Sequence, residues 1–233
     1  MTDKENIQVS VQTLNWGPCV TRLKITDEFK NLLLTEAKRE KIDFRTKLAG
    51  QIEHENGYSE KSKTILTPHI AQCLGIYDHA YQKFSGKQYD KAPEYVMTAL
   101  WINYQKQYEF NPPHDHDGTL SFVIYLSMPN KLIEENKKYL GKSCGPGGIQ
   151  FLYGDGPRNC VSYQAYFPQE NDMFIFPAWL KHYVSPFKSD CTRISVSGNV
   201  HSEVPINNIQ QFAKGYDPEK SKHSAGRGVY VKE

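Results

Sequence analysis

Two histidines separated by a single residue precede a predicted β-strand. His114 and His116 lie in the run NPPHDHDG, directly before the apolar segment Leu120–Met128. Alternate residues of an extended chain point to the same side, so both imidazoles can face one point while Asp115 and Asp117 face the other side. The pattern therefore predicts two side chains that can converge on a metal ion.

A third histidine follows a strongly apolar strand. His182 comes after Met173–Pro177 (MFIFP) and the connecting residues Ala178–Leu180. Taken alone, such a histidine is as readily a buried structural residue as a ligand. Together with His114 and His116 it favours a metal site, because imidazole is the commonest protein ligand of first-row transition metals.

The strand predicted after His182 alternates between apolar and polar residues. Ile194 and Val196 share one face, whereas Arg193, Ser195 and Ser197 share the other. On an isolated sheet the polar face would lie in water. Inside a barrel or sandwich the same face would carry a guanidinium and hydroxyls into the interior, where they can hold a carboxylate by charge-assisted hydrogen bonds.

The elements that must position these residues fall into a helical part and a strand-rich part. Capping residues and apolar spacing predict one helix beginning at Asp27, after Thr26, and another beginning at Pro68, after Thr67, and ending at Gly86. Short aromatic and β-branched segments broken by Pro and Gly then predict five strands. These strands are Tyr95–Tyr104, Leu120–Met128, Ile149–Tyr153, Met173–Pro177 and Arg193–Val200.

This order of elements predicts a mainly β fold with N-terminal helices. We expect antiparallel sheets forming a sandwich or barrel, with the helices packed on one sheet. The expected organisation is a single domain over residues 1–212, with helical support at 20–90 and a β core at about 95–200. Residues 213–233 are polar and contain glycine, which predicts a loosely ordered C-terminal tail.

The motifs together resemble the Fe(II)- and 2-oxoglutarate-dependent oxygenases, a family with the double-stranded β-helix, or jelly-roll, fold. The resemblance covers roughly residues 95–200 and is closest to a subfamily common in marine bacteria and their phages; Leu48-Ala49-Gly50 is similar to phage-borne members. The shared motifs are Asn-x-x-His-x-His before a Ser-containing strand, Phe-Pro-x-Trp-Leu-x-His, and Arg-Ile-Ser ending near Asn. They are matched here by Asn111, His114, His116 and Ser121, by Phe176, Pro177, Trp179, Leu180 and His182, and by Arg193 to Ser195 with Asn199.

The resemblance implies a role for each of these residues. His114 and His182 would bind Fe(II), and Arg193, helped by Ser195, would pair with the C5 carboxylate of the co-substrate 2-oxoglutarate. Tyr104 and Tyr125 stand where the related prolyl hydroxylases have tyrosines that line the same pocket. The implied reaction uses O2 to hydroxylate an aliphatic carbon, and the prolyl hydroxylase likeness favours a protein side chain such as peptidyl proline as prime substrate.

The second metal position departs from the family pattern, which usually has His-x-Asp. Position 116 is His, so the site has either three imidazoles or a triad completed by Asp117 or Asp115. The regular alternation of an extended chain favours His116, because Asp117 would need a bulge or bend between Pro113 and Gly118.

Two other classes of protein share these features. One is a cupin-type metalloenzyme that binds its metal with three histidines and uses no 2-oxoglutarate. The other is a non-catalytic jelly-roll module in which the histidines serve structure or metal storage. Arg193 with Ser195 favours the oxygenase, because only that reading needs a carboxylate-binding group deep in the fold.

Composition limits the partners. The chain of 233 residues has 28 Lys and Arg against 26 Asp and Glu, a formal net charge of +2. That balance does not favour binding to nucleic acid or to a membrane through bulk charge, and no basic stripe with interleaved aromatic residues is present. The charged start of the chain has no apolar signal segment, and the five cysteines show no CxxC pair. We therefore expect a cytoplasmic protein, in the host cytoplasm if a phage encodes it.

Overall fold

The computed structural model describes residues 17–89, 91–156 and 161–202, so the predicted tail at 213–233 lies outside the described residues. Within them no helix combines the length and the apolar character that crossing a membrane requires. The helices are α1 (Asp27–Ala37), α2 (Glu60–Ser85) and α3 (Asn130–Lys137). The strands are β1 (Thr21–Lys24), β2 (Ile42–Asp43), β3 (Glu55–Gly57), β4 (Tyr95–Gln105), β5 (Asn111–His114), β6 (Leu120–Ser127), β7 (Ile149–Leu152), β8 (Tyr163–Tyr166), β9 (Asp172–Pro177), β10 (Lys181–Val184) and β11 (Arg193–Ser202).

The strands form two antiparallel sheets. The larger has the order β1-β9-β6-β11-β4-β3-β2, and the smaller has the order β5-β10-β7-β8. All five strands predicted from the sequence are present within one or two residues of their expected bounds. The shorter strands β1, β2, β3, β5, β8 and β10 are additional, and they are too short to show a periodic pattern.

Helices α1 and α2 cover one face of the larger sheet, as the sequence predicts. Phe29 and Leu33 of α1 and Ile70 of α2 belong to one buried cluster with Ile102 and Ile124 of the sheet. A second buried cluster fills the space between the two sheets, because β6 and β9 are apolar on both faces. Its members include Val123, Tyr125, Phe174 and Phe176 from the larger sheet and Ile149, Phe151 and Val184 from the smaller.

Helix α1 begins where the sequence predicts, whereas α2 begins earlier. The Thr26 side chain caps α1 by accepting a hydrogen bond from the Phe29 amide. The start predicted for α2 at Pro68 is wrong: the helix begins at Glu60, and Pro68 lies inside it. An internal proline removes one helical hydrogen bond, yet the first turns are retained because Ser59 caps them and Leu66 is fully buried.

Candidate metal and co-substrate site

Three histidines meet at one edge of the smaller sheet. His114 ends β5 and lies directly across from His182 of β10, and His116 follows β5 with its amide bonded to the Ala178 carbonyl at 2.9 Å. One ring nitrogen from each of the three lies within 4.8 Å of the others. The cluster is the only group of metal-ligating side chains of this kind among residues 17–89, 91–156 and 161–202.

Backbone carbonyls fix the orientation of two of these rings. The Nδ1 atom of His114 lies 2.6 Å from the Pro112 carbonyl oxygen, and that of His182 lies 2.9 Å from the Leu180 carbonyl oxygen. A carbonyl can only accept, so each Nδ1 carries the proton and each Nε2 keeps a free lone pair. This is how histidines are held for metal binding in known sites.

The environment keeps all three imidazoles uncharged. Burial lowers the pKa of His114, lowers that of His116 to about 4 and lowers that of His182 to about 3, and the neighbouring His114 further lowers the pKa of the other two. Neutral imidazole is the form that binds a metal ion. The donor set therefore fits a first-row divalent ion such as Fe(II).

The two aspartates beside His116 do not join this cluster. Asp115 and Asp117 are exposed, whereas His116 packs edge-on against the Trp101 ring at 5.7 Å. Gly118 then turns the chain into β6 with φ of +107°, and a Cβ there would lie 2.8 Å from the Val200 carbonyl oxygen. The bend covers residues 117–119 and therefore follows His116, so His114 and His116 both line the same pocket.

Arg193 is a buried cation without a counter-ion in the described part of the chain. Its side chain is 2% exposed, and no described carboxylate lies within 4.0 Å of it. One guanidinium nitrogen donates to the Gly147 carbonyl at 2.9 Å, the Nε atom has no partner, and the Tyr125 ring centroid lies 5.3 Å away. A buried charge of this kind is costly unless something pairs with it, so the geometry fits the carboxylate of a bound ligand.

Tyr125 and Ser195 lie beside Arg193 on the inner face of the larger sheet. Residues 125 and 195 are directly opposed on β6 and β11, and both are buried. The Tyr125 hydroxyl has no hydrogen-bond partner, and burial raises its pKa to about 12, so it is a donor at neutral pH. Arg193, Tyr125 and Ser195 line one pocket with the three histidines.

The prediction for Tyr104 is wrong in position. Its side chain packs against the buried cluster under the helices, on the opposite face of β4 from the pocket. The strand alternates, so the residue that faces the pocket is the preceding Asn103, together with Trp101. The Asn103 amide nitrogen lies 3.4 Å from the hydroxyls of Ser195 and Ser197.

Two pocket residues were not identified from the sequence. Asn103 could have been found, because Trp101 and Asn103 share one face of the strand predicted at Tyr95–Tyr104. Glu55 gave no such signal, because β3 has only three residues and is too short to show a periodic pattern. In the structure Glu55 lies in β3 directly opposite Asn103, is 2% exposed and lines the pocket.

The Glu55 carboxylate forms no ion pair with the described residues. No described cation lies within ion-pair distance, and its Oε2 atom has no hydrogen-bond donor. Burial, with a smaller contribution from Glu109, raises its pKa from 4.5 to about 7. The positive charge of Arg45 acts on Glu55, but Arg45 is already paired with both oxygens of Asp43 at 2.9 and 2.6 Å.

We expect Glu55→Gln to stabilise the protein at pH 8 but not at pH 4. The folded state holds the Glu55 proton up to about pH 7 and the unfolded state only to about 4.5. The wild type therefore loses stability as pH rises between these values, by about 2–3 kcal/mol, and the neutral glutamine does not. Urea unfolding of both proteins at the two pH values measures the difference. Glu53→Gln, at an exposed neighbouring carboxylate, is the control, and a gain that is equal at both pH values would contradict the assignment.

Comparisons with known proteins agree with this architecture. Residues 99–199 match the family model described as "Putative 2OG-Fe(II) oxygenase". No curated protein matches the sequence. The matched segment runs from β4 to β11, and it contains the three histidines, Arg193 and Tyr125.

Solved structures with low sequence identity have the same fold. An oxidoreductase of the 2OG-Fe(II) oxygenase family from Burkholderia pseudomallei aligns at TM-score 0.50 and 14% identity, over 78% of this chain and 84% of that one. HygX from Streptomyces hygroscopicus, solved with nickel, 2-oxoglutarate and hygromycin B bound, aligns at TM-score 0.51 and 7% identity, over 79% and 83%. The predicted jelly-roll class is confirmed, and residues 99–199 of this chain are similar to the 2OG-Fe(II) oxygenases described by that family model.

Proposed function

We propose that this protein is a non-haem Fe(II)- and 2-oxoglutarate-dependent oxygenase that hydroxylates an aliphatic carbon of its prime substrate. The observation that carries the proposal is Arg193, a buried and unpaired guanidinium in the same pocket as three convergent, neutral imidazoles. A cupin-type enzyme or a metal-storage module would need the imidazoles but has no use for the guanidinium.

In this scheme the side chains of the pocket bind and orient the metal ion and the co-substrate. The Nε2 atoms of His114 and His182, with a ring nitrogen of His116, hold the ion. Arg193 pairs with the C5 carboxylate of 2-oxoglutarate, and the Tyr125 hydroxyl donates a hydrogen bond to the same carboxylate, with Ser195 beside it. When bound, Fe(II) and 2-oxoglutarate together supply the activation of O2 that oxidises a C–H bond of the prime substrate. A protein side chain such as peptidyl proline is a proposed substrate.

Turnover of the co-substrate tests the proposal. The protein loaded with Fe(II) and 2-oxoglutarate is exposed to 18O2 with catalase present, and succinate is analysed by mass spectrometry. We expect succinate with one oxygen-18 atom, CO2, and strong loss of both in a His182→Ala control. Recovery of 2-oxoglutarate unchanged, or equal succinate from the control, would contradict the proposal.

A pair of tyrosine variants tests the co-substrate pocket. We expect Tyr125→Phe to weaken 2-oxoglutarate binding, because it removes one donor to a buried anion, worth about 1–3 kcal/mol. Tyr104→Phe is the matched control and should bind 2-oxoglutarate like the wild type, since Tyr104 lies on the other face of β4. Anaerobic calorimetry with 2-oxoglutarate measures both. An effect confined to Tyr104→Phe would overturn the orientation of the pocket described above.

A further inference from the structure

A row of polar residues crosses the inner face of the larger sheet from end to end of the pocket. Glu55 is opposite Asn103, Asn103 is opposite Ser195, and Ser195 is opposite Tyr125. Neighbouring strands lie about 4.8 Å apart, so the two ends of this row are roughly 14 Å apart. A single carboxylate bound at the Tyr125 end therefore does not also reach Glu55.

The two ends of the row have opposite hydrogen-bonding character. At one end the unpaired buried atoms are the Arg193 Nε and the Tyr125 hydroxyl, which are donors. At the other end they are the Glu55 Oε2 and the Asn103 Oδ1, which are acceptors. The donor end fits an anion, whereas the acceptor end lacks a group with N–H or O–H hydrogens.

The charges around Glu55 favour a cation as the group that binds there. Glu109 and Asp43 add negative charge near it, and Arg45 is occupied by Asp43. A carboxylate buried at 2% exposure is stable in its ionised form only beside a positive partner, and the described residues supply none within ion-pair distance. A primary ammonium or a guanidinium has several donors and no acceptor, which matches two neighbouring acceptor atoms.

The loop at residues 48–50 lies next to Glu55 and narrows this end of the pocket. Leu48 and Ala49 line the pocket there, and Gly50 follows them. A Cβ at Gly50 would lie 2.0 Å from the Asn111 side-chain oxygen and 3.4 Å from Glu55 Oε1. The loop therefore packs closely against Asn111 and lies next to Glu55, and Leu48 and Ala49 line the pocket together with Glu55 of β3.

We propose that Glu55 and Asn103 bind a cationic N–H group, an ammonium or guanidinium, of the prime substrate. This proposal rests on the proposed function. It assigns the donor end of the row to the co-substrate and the acceptor end to a basic prime substrate. The metal cluster does not include Glu55, so the carboxylate is free for this role. The carbon to be oxidised would then lie between the cationic group and the histidines.

Two probes of equal length test this assignment. The probes are n-hexylammonium and 1-hexanol, which differ in charge and in the number of hydrogen-bond donors. Binding of each probe to the full chain is measured at pH 8 by saturation-transfer NMR. We expect hexylammonium to bind the wild type at least about tenfold more tightly than hexanol. Glu55→Gln should remove that preference, and Glu53→Gln, at an exposed carboxylate, should keep it.

The outcomes separate this proposal from the proposed function. Equal binding of the two probes, no binding of either, or loss of the preference in Glu53→Gln would each overturn the role of Glu55. If Glu55→Gln does not fold, the wild-type comparison of the two probes still decides. Failure of Fe(II) and 2-oxoglutarate to bind, in a protein that still prefers hexylammonium, would count against the oxygenase and leave the cation site standing.

Discussion

Replacing His116 by alanine is expected to abolish metal binding, although the neighbouring aspartates remain. The cluster has one ring nitrogen from each of three histidines, and Asp115 and Asp117 are exposed. Loss of a group that only orients a ligand costs about 10- to 100-fold in metal affinity, so loss of a ligand should cost at least that much. Anaerobic titration with Co(II), followed by its visible absorption, measures the affinity.

The aspartate variants are the controls for that titration. Asp115→Ala and Asp117→Ala should bind Co(II) within about threefold of the wild type, because neither carboxylate belongs to the cluster. Asp117→Ala should at most loosen the turn at Gly118. Retained binding in His116→Ala with loss in Asp117→Ala would mean that a carboxylate completes the site, after a bend that the structure does not show.

Arg193→Ala should greatly weaken 2-oxoglutarate binding and leave metal binding nearly unchanged. Removing one partner of a buried, charge-assisted pair costs on the order of 2–5 kcal/mol, or roughly 30- to several-thousand-fold in Kd. Arg193→Lys should recover only part of this, because a point charge replaces a planar fork. Calorimetry with 2-oxoglutarate, alongside the Co(II) titration, separates the two effects.

A substitution on the same face of the strand, at a residue without a charge, provides the comparison. Ser197→Ala removes a small hydroxyl from the same face of β11. It should change 2-oxoglutarate affinity far less than Arg193→Ala does. If Arg193→Ala binds 2-oxoglutarate like the wild type, the guanidinium has another role and the co-substrate assignment is lost.

The part of the site that follows strand alternation could be predicted from the sequence. His114 and His116 both line the pocket because the chain bends only after them, at residues 117–119. Arg193, Ser195 and Ser197 line it because they alternate along β11, which pairs with β4 without a register shift over this stretch. The long apolar strands were predictable for the same reason. Each of these depends only on residues that are close along the chain.

The features that could not be predicted depend on which strand lies next to which. Glu55 enters the pocket because β3 pairs with β4, a contact between distant parts of the chain that no local pattern encodes. Tyr104 lies outside the pocket because the alternation of β4 places its side chain under the helices, which the family resemblance did not take into account. The early start of α2 depends on burial of Leu66, which is again a tertiary contact.

The most direct test of the central claim is anaerobic absorption spectroscopy of the wild-type protein with Fe(II) and 2-oxoglutarate. Three neutral imidazoles leave Fe(II) with no protein charge to balance it, so we expect weak binding of Fe(II) alone and tighter binding with the anionic co-substrate. The account predicts a visible metal-to-ligand charge-transfer band only when both are present, absent in His116→Ala and requiring far more 2-oxoglutarate in Arg193→Ala. A wild-type protein that binds Fe(II) equally well with and without 2-oxoglutarate, and shows no band, would contradict it.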